Sequence, residues 1–470
     1  MRFRAAVILL TLAGFALRAY GLHHDSFWLD EVDAISMAAE PVTQQLRKLT
    51  AVGENGPLYF IFFKGWLALA GASEYGARYA SCVASTLAIP LIAALAHRLT
   101  ASAAVGVTAA ALAVASPFYV WYAQDAKMYP LFAALALAAH YALLRAIGRG
   151  GAGWWLGYVV ASSLGLYVHL FAALQIAANT VVGVVWLLRS KQRRKPFTAS
   201  TAALVLPYVP LAVWQAPVLL RGARVGYPPT PLATMLISLG ERLTWHADPA
   251  PARWLLAPLG AALAWGLWCA WRRTWRAGAA LLVWLTVPIL LVFALQFTVP
   301  VFRDRYLVPL VAPLLILLAL AIAVRPGPHS IVIAAFIVTG WLYGLSHPPQ
   351  NPDYRGAAAF LRQTAGAGDR VGFLAEYAER PFGHYFGQLP GAPLEKAPLP
   401  YTNYPTTSEQ EGLRAVANAL RAGETLWIVR WEDWFWDARD LTGQYLRNRG
   451  ARLTLERDFQ GVRVARWEIP

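Results

Sequence analysis

Four stretches of this chain run without a charged side chain for long enough to cross a bilayer. Leu99–Gln124, Gly150–Leu188 (interrupted only by His169), Pro196–Leu220 and Ala277–Phe302 each meet or exceed the ~18 residues that span hydrocarbon as a helix. In lipid every backbone N–H and C=O needs a partner within the protein, so runs of this length read as helices. Composition agrees. Apolar residues make up 57% of the 470 and charged ones 14%, against about 25% charged in soluble domains. A polytopic α-helical membrane protein is therefore expected. The net charge of +15 invites a nucleic-acid reading, but its distribution argues otherwise, and no nucleic-acid partner is expected. Cys82 and Cys269 lie in separate apolar runs and support neither a disulfide framework nor a zinc site.

Charge orients the spans. Met1-Arg-Phe-Arg4 followed by apolar Ala5–Leu17 reads as an uncleaved anchor with a cytoplasmic N-terminus rather than a signal peptide. Eleven spans are expected, near 5–21, 79–97, 101–120, 128–147, 153–169, 172–188, 198–218, 252–271, 277–297, 306–324 and 330–346, which puts the C-terminus outside. Fourteen bases and no acid then fall on the cytoplasmic side, from Arg2 through the Arg189–Lys195 cluster to Arg325. This is the positive-inside pattern. Pro57–Gly71, short and interrupted by Lys64, is read as a juxtamembrane or re-entrant helix on the outer face.

Residues 1–346 thus form a membrane module with an external loop over 22–78, and a second long loop runs over Leu219–Pro251. Residues 347–470 form a small extracytoplasmic α/β domain with 15 acids and 15 bases. In that domain Ser408-x-x-Glu411 opens a helix as a capping box. Its apolar face is Leu413, Val416, Ala417 and Leu420, and Gly423 closes it. Arg370–Ala375 and Thr425–Trp431 read as strands, and Leu453–Phe459 and Val462–Ile469 as a hairpin around Gln460-Gly461. Trp431-Glu-Asp-Trp434-Phe-Trp436 either stacks on sugar rings or continues a strand into a packed or membrane-contacting edge, and the second is favoured.

Ionisable groups at membrane depth or beside it are costly and point to function. Asp30-Glu31 sits among Phe27, Trp28, Leu29 and Val32 in the first external loop. It is either a solvated acidic face or a partly desolvated carboxylate suited to general-base work. Asp125-Ala-Lys127-Met-Tyr129 offers an ion pair at a helix end or an anion site. Arg303-Asp-Arg305-Tyr306 offers snorkelling anchors or phosphate recognition by guanidinium. His169 is a helix–helix hydrogen-bonding group or a ligand. All four lie on the same predicted face, which suits chemistry on an anionic lipid.

At these residues the chain resembles the GT-C membrane glycosyltransferases of the protein O-mannosyltransferase and lipid A aminoarabinose transferase kind. The resemblance rests on Asp30-Glu31, Gly56-Pro57-Leu58-Tyr59, Ala77-Arg78-Tyr79-x-Ser81 and Ser116-Pro117…Tyr122-x-x-Asp125-x-Lys127-x-Tyr129. Tyr167-x-His169 and Arg305-Tyr306-Leu-x-Pro309 complete it. It covers about the first 320 residues and departs at Asn55-Gly56 and Lys127, where relatives often have His-Pro or Lys-Pro and arginine. It implies a GT-C fold and inverting transfer of one sugar from a polyprenyl phosphate to an acceptor hydroxyl of a glycan, lipid or protein outside the inner membrane. Asp30 would be the base and Glu31 its assistant. Lys127, Tyr129, Arg303, Arg305, Tyr306 and Arg78 would hold the donor phosphate. Asp125, Tyr59 and Tyr167 would meet acceptor or sugar. Glu54 and His169 would hold a divalent metal or contact the sugar, the metal being permitted rather than required. The competing readings are a glycan ligase using a lipid diphosphate and a transporter or flippase. Charges gathered on one face rather than along a two-sided path count against transport.

Overall fold

The computed structural model describes residues 2–49, 55–187, 193–221, 229–300, 302–391, 393–399 and 409–470. The chain divides into two compact units, Met1–Leu22 with Met37–Pro349, and His23–Ser36 with Gln350–Pro470.

The first unit is helical. In chain order it contains α1 (Arg2–Ala19), the end of α2 (Leu29–Ala39), α3 (Val42–Leu49), α4 (Leu58–Ala70), α5 (Glu74–Thr100), α6 (Ala103–Ala115), α7 (Pro117–Ala123) and α8 (Tyr129–Arg149). Next come α9 (Ala152–Val168), α10 (Ala172–Leu187), α11 (Arg194–Ala203), α12 (Val205–Arg221), α13 (Leu232–Thr244), α14 (Leu256–Arg273), α15 (Trp275–Leu295), α16 (Val311–Ala323) and α17 (Pro328–Ser346). Each of the eleven expected spans coincides with a helix or an adjoining helix pair. Among the described residues seven helices are long and apolar enough to cross a membrane, and the pair α6 and α7, bent by 55°, makes an eighth. The other three expected spans are α1, which carries Arg2, Arg4 and Arg18, and α9 and α10, of 17 and 16 residues. The segment 57–71 forms α4, whose 13 residues extend about 20 Å at ~1.5 Å each, short of the ~30 Å hydrocarbon core.

Burial explains the order of packing. In α16 every residue from Val311 to Ala321 is buried, as expected of a helix that is apolar all round and surrounded by others. α14 approaches it at Gly266, where a Cβ would overlap the Leu317 carbonyl oxygen. Small residues at such crossings let backbones touch, the main source of helix association in lipid. Gly266→Ala is expected to destabilise the module by about 1–3 kcal/mol through overpacking, read as a lower unfolding temperature in detergent. An unchanged temperature would show that the helices separate without cost.

Arg18 closes the first corner. Its side chain is wholly buried and donates from Nε to Ser85 Oγ (3.0 Å), from Nη1 to the Gly14 and Val114 carbonyls (3.0 and 3.1 Å) and from Nη2 to the Ala113 carbonyl (2.8 Å). Ala113 and Val114 end α6, where Pro117 interrupts the ladder and leaves carbonyls without helical donors. In return Gln124, just past α7, donates to the Arg18 and Tyr20 carbonyls at 3.2 and 2.7 Å, satisfying the end of α1.

The second unit carries a five-stranded sheet in the order β2-β1-β3-β5-β4. Its strands are β1 (Arg370–Leu374), β2 (Glu395–Ala397), β3 (Thr425–Trp431), β4 (Arg452–Phe459) and β5 (Val462–Glu468). β2, β1 and β3 run parallel, and β5 and β4 add antiparallel. Its helices are α18 (Tyr354–Thr364), α19 (Glu379–Phe386), α20 (Glu409–Ala419), α21 (Asp433–Trp436) and α22 (Leu441–Asn448). The expected strands and hairpin therefore form, with Gly461 at φ 71° in the turn. The expected helix forms as α20 with its apolar face turned inward, while its cap, Ser408, lies outside the described residues.

Two features differ from expectation. Trp431–Trp436 does not continue β3, because Glu432 adopts φ 50° and turns the chain into α21. Trp434 is left 72% exposed. Residues 23–36, expected within the membrane module's external loop, belong to the second unit. Ser26 Oγ donates to the Pro352 carbonyl (2.7 Å) and accepts from the Tyr354 N–H (3.1 Å). The Phe27 N–H donates to the Tyr385 hydroxyl (2.6 Å), and Asp33 pairs with Arg380 (2.7 Å).

Candidate active site

The break between α6 and α7 sets the geometry of the first unit's site. Ser116 Oγ accepts the Tyr119 N–H and Pro117 starts α7, so the span restarts at a new angle and ends after two turns. The chain then makes a tight turn, the Lys127 N–H donating to the Asp125 carbonyl at 2.7 Å, and enters α8 at Tyr129-Pro130. Ser81 of α5 pins this turn by donating to the Lys127 carbonyl at 3.2 Å. Asp125 is buried within it.

Five of the expected residues converge here. The Tyr129 ring lies 5.9 Å from His169 and 6.3 Å from Tyr306, and His169 lies 5.3 Å from Tyr306. The Arg305 guanidinium stands 5.7 Å from the Tyr129 ring and 5.8 Å from the Tyr306 ring, a cation–π arrangement that holds a cation against an apolar wall. Lys127 and Arg305 both act electrostatically on the His169 ring. Phe132 stacks on that ring at 5.1 Å and Phe171 closes its edge at 5.5 Å. The sequence marks neither phenylalanine as a site residue, although Phe171 lies only two residues from His169. The result is a guanidinium set on an aromatic wall, with Lys127 in electrostatic range of it.

His169 does not fit a metal in this setting. Its Nδ1 accepts the Phe171 N–H at 3.2 Å, so the neutral ring carries its proton on Nε2, and no described residue meets that atom. A metal-ligating histidine normally has the reverse arrangement, one nitrogen donating to a carbonyl or carboxylate and the other offering its lone pair. The buried Nε2–H suits a hydrogen bond to an oxygen. Among the described residues no three His, Cys, Asp or Glu side chains gather as a metal site, and Glu54 lies outside the described residues.

The remaining expected residues have other surroundings. Arg303 is extended at the start of the 3-10 turn Asp304–Leu310, half-buried. Arg78 is buried and donates to the Leu22 carbonyl at 2.9 Å. Tyr59 is buried in α4, stacked on Phe63 at 5.4 Å. The Tyr167 hydroxyl donates to the Pro207 carbonyl at 3.1 Å, and Gly56 lies so close to the Tyr167 carbonyl that a Cβ would overlap it.

Asp30 and Glu31 open α2 within the second unit. The pair is not symmetrical. Glu31 is fully buried and its carboxylate accepts the Trp28 N–H at 3.3 Å, one of the amides that a helix start leaves without a helical acceptor. Asp30 is the more exposed of the two.

Residues 54–214, about a third of the chain, match the model of the dolichyl-phosphate-mannose-protein mannosyltransferase family. No curated protein is significantly similar in sequence. Among solved structures, apo ArnT from Cupriavidus metallidurans is 12% identical, aligning 99% of this chain with 98% of that chain at a TM-score of 0.59. The same protein bound to undecaprenyl phosphate is also 12% identical, with 98% and 97% aligned at 0.58. The archaeal oligosaccharyltransferase AglB from Archaeoglobus fulgidus, in complex with an inhibitory peptide and a dolichol-phosphate, is 11% identical, with 92% and 70% aligned at 0.51. The chain is thus a multi-pass membrane protein with the GT-C glycosyltransferase fold. Over the matched third it also carries the mannosyltransferase family's sequence pattern.

Proposed function

We propose that this protein transfers one sugar from a polyprenyl-phosphate donor to an acceptor hydroxyl on the outer face of the inner membrane, with inversion. The observation that carries this reading is the Arg305 guanidinium set against the Tyr129 and Tyr306 rings beside His169, with Lys127 in electrostatic range of that histidine. A guanidinium held against aromatic rings, with a lysine in electrostatic range, suits an anionic phosphate. The same fold in ArnT has been seen with undecaprenyl phosphate. The absence of acids from the expected cytoplasmic loops supports an N-terminus inside and chemistry outside. No nucleotide donor is expected there, so a sugar must arrive activated and tethered, as a phosphate ester is.

In the reaction the acceptor oxygen bonds to the anomeric carbon as the bond from that carbon to the phosphate oxygen breaks. The acceptor proton passes to the Asp30 carboxylate. The departing lipid phosphate keeps the electron pair and is held by Lys127 and Arg305, with Arg303 two residues before Arg305 in the chain. Cations fixed in a water-poor site act more strongly than in water and need no reorganisation as charge develops. The His169 Nε2–H offers one further donor to an oxygen. None of these roles requires a metal.

Arg305→Ala tests the reading. In nanodiscs containing the full chain, affinity for undecaprenyl phosphate is expected to fall about 10- to 100-fold, as for loss of a charge-assisted hydrogen bond, with Arg305→Lys intermediate. An unchanged titration would make the arginine a membrane anchor and remove the donor site from this cluster.

A further inference from the structure

At the end of α13 the chain passes into a buried loop, Thr244–Ala247, in a region the sequence marks only as an external connection. Trp245 anchors it. The side chain is 1% exposed and meets α17 at Gly340-x-x-x-Gly344, where a Cβ on either glycine would overlap the Trp245 indole nitrogen or carbonyl oxygen. Spaced small residues usually admit a second helix. Here they admit a loop. The His246 N–H donates to the Glu241 carbonyl at 3.2 Å and the Asp248 N–H to the His347 carbonyl at 2.9 Å, so both sides of the loop are tied down.

His246 is held in an unusual state. Its φ is 45°, a left-handed conformation that a non-glycine residue keeps only when its surroundings impose it, and such strain clusters at functional sites. The ring is caged by Phe118, Trp121 and Tyr122 at 5.1, 5.6 and 5.5 Å. The residue is 4% exposed, yet neither ring nitrogen has a hydrogen-bond partner among the described residues. The Arg242 carbonyl approaches the ring without reaching hydrogen-bond geometry. A buried imidazole in this condition keeps hydrogen-bonding capacity to offer a ligand. Burial pushes the imidazole down to about 3. It is therefore neutral at physiological pH, with one nitrogen donating and the other accepting.

The cage is one ring away from the cation cluster. Tyr122 meets Tyr129 edge-on at 5.4 Å, and Tyr129 carries Arg305 against its face. A group that both donates and accepts, offers C–H faces to aromatic rings and lies next to a phosphate is a sugar ring. We propose that the Thr244–Ala247 loop presents His246 as a specificity-determining hydrogen-bonding group for the sugar of the lipid-linked donor. The proposal rests on the donor reading above and adds the element that recognises the sugar.

The test compares two probes on the full chain in nanodiscs: bare undecaprenyl phosphate, and a panel of undecaprenyl-phosphate hexoses and pentoses. The parent protein is expected to bind at least one sugar-bearing lipid more tightly than the bare phosphate. His246→Ala is expected to erase that preference, weakening the sugar-bearing lipid about 10-fold and leaving the bare lipid unchanged. His246→Asn tolerates the left-handed backbone and keeps a donor and an acceptor, so it is expected to stay within about threefold of the parent. Equal weakening of both lipids, or no weakening of either, would overturn the proposal, as would a parent with no preference for any sugar-bearing lipid. Should His246→Ala fail to fold, the parent's preference and the asparagine variant decide. A parent that binds neither lipid would instead defeat the donor reading, and the inference with it.

Discussion

Asp30→Asn is expected to slow sugar transfer in proteoliposomes by about 10²–10⁴-fold, the usual contribution of a positioned general base. Unfolding temperature and affinity for undecaprenyl phosphate should remain those of the parent. Asparagine keeps the shape of the side chain and much of its hydrogen bonding but cannot take the acceptor's proton. Its neighbour Glu31 would not serve as the same control, because that carboxylate is fully buried and engaged with the Trp28 amide. Losing Glu31 would disturb the start of α2 as well as any chemistry. An Asp30→Asn protein with full activity would exclude Asp30 as the base and require another acceptor for the proton.

The largest expected loss of stability is at Arg18→Met. Methionine nearly fills the same volume but offers no donor, so the Ala113 and Val114 carbonyls lose the partners that Arg18 provides. Each buried carbonyl left without a donor costs about 1–3 kcal/mol, so roughly 2–6 kcal/mol is expected in all. Burying a guanidinium without a counter-charge is itself costly, and removing it returns some of that energy. The orphaned carbonyls should still prevail, because they end a helix whose terminal dipole is negative and faces no water. Arg18→Lys should recover part of the loss, since an ammonium can reach fewer of the four acceptors. Thermal unfolding in detergent measures both variants. An unchanged midpoint for Arg18→Met would mean that the break at Pro117 needs no donor from α1.

Several parts of this molecule are legible in the amino-acid order. The helices of the membrane module are visible because apolar runs bounded by charge are a local property and lipid admits few alternatives to helix. The hairpin at Gln460-Gly461 is visible for a similar reason, as two alternating segments meet at a turn residue. Lys127, Tyr129, Arg305 and His169 can be singled out because ionisable groups at the edge of apolar runs are conspicuous. Other features carry no local mark. Trp431–Trp436 reads as strand, yet the left-handed backbone of Glu432 ends β3 there. Residues 23–36 look like one continuous loop with residues 37–78. Their attachment to the second unit depends on Pro352, Tyr354, Tyr385 and Arg380, more than 300 positions away.

What the amino-acid order determined alone was the placement of the apolar helices, the distribution of charge along the chain between them and the residue types offered for chemistry. These arise from hydration and backbone hydrogen bonding, which act over one or two turns. Only the tertiary structure decided which offered groups share a site, that His169 presents a donor rather than a metal ligand, and that His246 joins an aromatic cage. Those outcomes depend on close approach between segments distant in sequence. The two glycines of α17 that admit Trp245 show the cause: a missing Cβ has meaning only when the surface that will occupy its space has arrived.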